Sequence, residues 1–107
     1  MFGFKNNKEK FNLHNVIVVR DIETTITAIP AHTTFAKYID KADYNLAGYT
    51  LVGICGQHGG TGVVLTEWGI QQSDEDLMLN FANPMTTDRT NVTIKVQALY
   101  IINENNG

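Results

Sequence analysis

The chain has 107 residues, of which 43% are hydrophobic and 18% charged, with a net charge of −3. That length makes one domain with a real core, and the acidic balance gives no electrostatic reason to expect a nucleic-acid partner. A single cysteine excludes an internal disulfide framework, and no apolar run approaches the roughly 20 residues of a membrane span, so membrane insertion is not expected.

Residues 1–12 (MFGFKNNKEKFN) have no apolar h-region and read as a polar, basic arm rather than a signal peptide. Lys5, Lys8 and Lys10 with Arg20, against Glu9, leave the first twenty residues net positive. Such an arm can anchor a small protein to a larger acidic assembly, with Phe2 and Phe4 as apolar contacts; it can equally be a solvated terminus. The expected domain is 13–107.

Beyond the arm, period-two segments of strand length recur between turn signals, without sustained helical periodicity. Leu13 to Arg20 is apolar on both faces, so Val16, Ile17, Val18 and Val19 are expected in a central strand or a subunit interface. Thr24 to Ile29 alternates up to Pro30, and Thr33 to Ile39 ends in the polar turn Asp40 to Asp43. Tyr49 to Cys55 and Gly62 to Ile70 flank a glycine-rich stretch that predicts a hairpin turn. Leu77 to Phe81 follows the acidic turn Ser73 to Asp76 and places Leu77, Leu79 and Phe81 on one face. Asn91 to Ile102 points Val92, Ile94, Val96, Ala98 and Tyr100 one way and Thr93, Lys95 and Gln97 the other. Seven or eight short strands without helices predict an all-β fold, a single antiparallel β-sandwich of jelly-roll-like type.

Few residues carry chemistry. Cys55 and His58 could form a nucleophile and its base, with Asp43, Glu67 or Asp74 to orient the imidazole. However, the apolar run before Cys55 predicts a buried thiol, which disfavours thiolate. The glycines of GICGQHGGTG lack the lysine of a phosphate-binding loop and run into a strand, not a helix. His14, His32 and His58 have no metal-ligand spacing, although a trimer axis could gather copies of one of them. No cofactor is therefore expected. Trp68 alternates with Thr66 and Ile70 and reads as core. Tyr38, Tyr44 and Tyr49 lie near loops, where aromatic rings with polar neighbours can hold sugars. Gln57, His58, Gly59, Gly60 and Thr61 are expected to form an exposed contact loop.

The segments GYTLVGICG and NVTIKVQALYII, with Ile29-Pro30-Ala31 before them and Leu77 to Asn83 between, resemble small β-sandwich domains of tailed-bacteriophage virion proteins. The resemblance covers about residues 24–102 and leaves out the arm and the His58-Gly59-Gly60 stretch. It implies a non-enzymatic virion structural protein, made in the host cytoplasm and carried on the particle surface. The form expected is a trimeric capsid decoration or head-fibre protein contacting the major capsid protein. One alternative is a tail or baseplate receptor-binding knob recognising host-surface glycan; a small cysteine-dependent enzyme is the third.

Overall fold

The computed structural model describes residues 16–104. Residues 1–12, expected to form the basic arm, and His14 lie outside the described residues. Six strands form two antiparallel three-stranded sheets packed face to face: β1 (Ile17–Ile29), β2 (Thr33–Ile39), β3 (Tyr49–Gly59), β4 (Val64–Ile70), β5 (Leu77–Asn83) and β6 (Arg89–Ile102). One helical turn, α1 (Lys41–Tyr44), lies between β2 and β3. The first sheet has the order β1-β6-β3 and the second β2-β5-β4. They are called the long and the short sheet below.

The two expected N-terminal strands are one. The charged stretch Arg20 to Glu23 looks like a break but keeps strict alternation: Asp21 and Glu23 point to solvent, while Ile22 points into the core. The register Val18↔Tyr100, Ile22↔Val96 and Ile26↔Val92 runs unbroken along β6. Because β6 is central among the described strands, β1 is an edge strand, so of the two readings of its apolar faces, central strand or subunit interface, the first does not hold.

Four of the five connections cross between the sheets; only β4 to β5 joins neighbours within one sheet. The glycine-rich stretch is therefore a corner, not a hairpin turn: β3 continues to Gly59 in the long sheet, and β4 begins at Val64 in the short one. Gly59, Gly60 and Gly62 all take positive φ. A Cβ on Gly60 would stand 2.5 Å from the Ile94 side chain, so the corner closes tightly onto β6.

The core is the set of inward positions anticipated from alternation. Leu77, Leu79, Phe81, Ile94, Val96, Ala98 and Tyr100 are fully buried, joined by Ile22, Ile26 and Ile29 from β1. Trp68 packs half-buried against this cluster. At one end of the sandwich, Asn83 is buried and fully paired. Its Nδ2 donates to the carbonyls of Ile29 (3.0 Å) and Thr87 (2.9 Å), and its Oδ1 accepts from the Met85 amide (3.0 Å). At the other end, the Tyr100 hydroxyl donates to the Tyr44 carbonyl, and the Tyr44 hydroxyl to the Glu75 carbonyl at 2.7 Å. These bonds tie α1 and the β4–β5 loop to the long sheet. Burial pushes both phenols above the usual tyrosine range, because phenolate is poorly solvated there.

Candidate functional site

With three strands per sheet, the described residues leave four sheet edges, and an unprotected edge invites pairing with other chains. Each edge carries an obstacle. On β1, Arg20 points inward and sets its guanidinium 5.7 Å from the Tyr100 ring centre. On β2, Lys37 stands at the inward position opposite Leu79. In β3 the register slips between Leu51 and Gly53 and again between Ile54 and Gly56; in β4 it slips between Leu65 and Glu67. Inward charges and bulges of this kind oppose edge-to-edge pairing.

The outward face of the long sheet divides in two along the strands. Its first rows are Ile17–Ile101–Thr50 and Val19–Leu99–Gly53, with Val52 as the extra residue of the first bulge. Ile17, Val19, Val52 and Ile101 are exposed, at 41–52% of their full surface, and Leu99 is half-buried. The next rows are polar: Asp21–Gln97–Gly56, then Glu23–Lys95–His58, then Thr25 with Thr93. An aliphatic patch thus sits at the end of the sheet where the described chain begins. Gly53 adds no side chain and leaves Leu99 open on its β3 side.

Of the residues expected at a subunit interface, Ile17 and Val19 belong to this patch. Val18 faces inward and packs against the core, and Val16 is half-buried just before β1. Leu99, Ile101 and Val52 were missed. Leu99 and Ile101 could have been found as the apolar exceptions on the outward face of β6; Val52 could not, because its orientation depends on the bulge.

The contact stretch is divided. His58, Gly59 and Thr61 are exposed, whereas Gln57 and Gly60 are half-buried. Gln57 is a clamp: its Nε2 donates to the Val63 carbonyl (2.6 Å), and its Oε1 accepts from the Leu65 amide (2.8 Å). The carboxamide replaces ladder hydrogen bonds where β3 and β4 part into different sheets.

The expectation of a buried Cys55 is corrected. As the extra residue of the second bulge it is exposed, and its Sγ lies 3.4 Å from the Gln97 carbonyl. The imidazole of His58 sits 3.4 Å from the Gln97 amide nitrogen, and among the described residues no hydrogen bond joins it to Cys55. His32 lies in the β1–β2 corner with φ 57°. Among the described residues no group of three or more His, Cys, Asp or Glu side chains gathers as a metal site.

The tyrosines separate by environment. Tyr44 is buried, Tyr49 packs half-buried against the core, and Tyr38 is 49% exposed on the outward face of the short sheet. Comparison with known protein families, with curated proteins and with solved structures finds no match to this chain.

Proposed function

We propose that this protein is a non-enzymatic assembly module of a bacteriophage particle, of the capsid decoration or head-fibre type, whose copies associate through the aliphatic patch of the long sheet. The carrying observation is that patch: Ile17, Val19, Val52, Leu99 and Ile101 gathered on one sheet face whose remaining rows are polar. Exposed apolar side chains are ordinary when scattered, but a contiguous group with a polar surround marks an interaction surface.

Magnitudes indicate what kind of association the patch supports. Burying the exposed half of each aliphatic side chain is worth roughly 1 kcal/mol, so two facing patches supply about 10 kcal/mol. Association costs about 4–15 kcal/mol in lost freedom. A single contact is therefore weak, and stable attachment needs several contacts at once, as in a ring of copies on a shell. The obstacles on the edges of the described strands favour face-to-face closure over open-ended sheet extension. The basic segment carrying Phe2, Phe4, Lys5, Lys8 and Lys10 precedes β1 in the sequence and is the part that would contact the shell, leaving the patch to join copies.

The test is sedimentation of purified protein with empty capsids assembled without it. Saturable co-sedimentation of the full chain is expected, reduced at least tenfold for a chain lacking residues 1 to 12. If neither the full chain nor the shortened one binds, the decoration reading is wrong.

A further inference from the structure

The outward face of the short sheet differs from that of the long one in having a depression. Its rows are Tyr38–Met78–Gly69 and Ala36–Asn80–Glu67, so large and small residues alternate diagonally. Ala36 and Gly69 leave a shallow trough of about 380 Å³ between Tyr38, Met78, Asn80 and Glu67, with Gln71 at its end. Gly69 takes no positive φ, and a Cβ built on it would meet nothing within 4 Å. The glycine is not required by the backbone; what its missing side chain provides is space.

The lining mixes an aromatic ring (Tyr38) and two aliphatic side chains (Met78, Ile70) with polar groups. Tyr38 is half exposed although it sits inside a strand. Asn80 Nδ2 donates to Thr66 Oγ1 at 3.1 Å, which orients the carboxamide, and among the described residues its oxygen accepts no hydrogen bond. Among the described residues, the side chains of Tyr38, Glu67 and Gln71 have no hydrogen-bond partner. A purely apolar partner seated here would strip water from these groups without replacing it, at a cost of about 1–3 kcal/mol each. A ligand with one apolar face and many hydroxyls meets every requirement: its C–H face lies on the ring, and its hydroxyls pair with the carboxylate and carboxamides. The volume lies at the lower end of the range for small-ligand sites, about 300–1,000 Å³, which limits the occupant to one or two sugar rings.

We propose that the trough on the outward face of the short sheet, walled by Tyr38, Met78, Asn80, Glu67 and Gln71 and floored by Ala36 and Gly69, is a binding subsite for a pyranose saccharide. The site is separate from the aliphatic patch, so it stands or falls independently of the assembly reading.

The test is titration of the ¹⁵N-labelled full chain with glucose, galactose, N-acetylglucosamine and maltose, each to about 50 mM, followed by amide shifts. At least one sugar is expected to give saturable shifts at Tyr38, Gly69, Met78 and Asn80, with half-saturation in the millimolar range. Tyr38→Ala removes the platform and Gly69→Val fills the trough; each is expected to weaken binding more than tenfold. Both positions are solvent-facing, so both variants keep the wild-type melting temperature. The proposal is overturned if no sugar of the four gives saturable shifts, or if the shifts survive both substitutions. It is equally overturned if these amides shift with protein concentration alone, which would make the trough a contact between copies.

Discussion

The two outward faces are built on the same plan and end with opposite characters. Each belongs to a three-stranded antiparallel sheet whose inner side is packed with Ile, Leu, Val and aromatic residues. On the long sheet, the end nearest the first described residues is filled with aliphatic side chains that make a flat surface. On the short sheet, a glycine and an alanine occupy positions where side chains would otherwise close the face, and the groups around them mix Tyr38, Met78 and Ile70 with Glu67, Gln71 and Asn80. On the readings proposed above, a sandwich separates its contacts by face: flat and aliphatic toward a protein surface, notched and mixed toward a small hydrophilic ligand. Neither face contributes to the core, so changes on them alter binding without altering the fold.

The sharpest way to break the comparison is to loosen what holds the faces apart. Asn83 joins β5 of the short sheet to the end of β1 in the long one. Asn83→Leu leaves the carbonyls of Ile29 and Thr87 and the amide of Met85 without their partner, at about 1 kcal/mol each. The expected loss of about 3 kcal/mol lowers the melting temperature by roughly 12–24 °C for a domain of this size. A melting temperature within a few degrees of wild type would show that the corner is held by other contacts.

A smaller effect comes from the opposite end, where Tyr100 and Tyr44 bind the loops to the long sheet. In the unfolded chain these phenols ionise near pH 10. In the fold, burial raises their pKa, so the neutral form is favoured by folding. Their contribution is whole below about pH 10 and is lost as pH rises through the folded values. The melting temperature is expected to be level from about pH 7 to 9 and to fall above 10. Tyr100→Phe should lower the stability across that level range by about 1 kcal/mol and flatten the alkaline fall. An unchanged alkaline limb in Tyr100→Phe would contradict the role given to the buried hydroxyl.

How much of this was legible in the sequence depends on the strand. In β5 and β6 the alternation is unbroken, and every inward residue anticipated from it is buried; β2 has the bounds Thr33 to Ile39 that its turn signals indicate. In β1, two acidic side chains at outward positions hid the continuity of a thirteen-residue strand. In β3, two bulges shift the period twice, which placed Cys55 on the wrong side of the sheet. The glycine corner could not be told from a hairpin turn, because both need positive φ and the partner of the next strand is a tertiary fact. The same holds for the two outward faces. Ile17 and Val19 were visible as apolar residues in a strand, but their neighbours Leu99 and Val52 come from β6 and β3. The trough combines residues from β2, β4 and β5, so only the order β2-β5-β4 brings them together.

The central claim is that the aliphatic face of the long sheet joins copies of the chain and the face of the short sheet does not. Light scattering coupled to size exclusion, over about 10–500 μM, compares wild type with Val19→Glu and with Tyr38→Ala. The account predicts a concentration-dependent rise in mass for wild type and Tyr38→Ala, and a monomer throughout for Val19→Glu at an unchanged melting temperature. A wild-type protein that stays monomeric across the range, or a Val19→Glu protein that associates as wild type does, would contradict it.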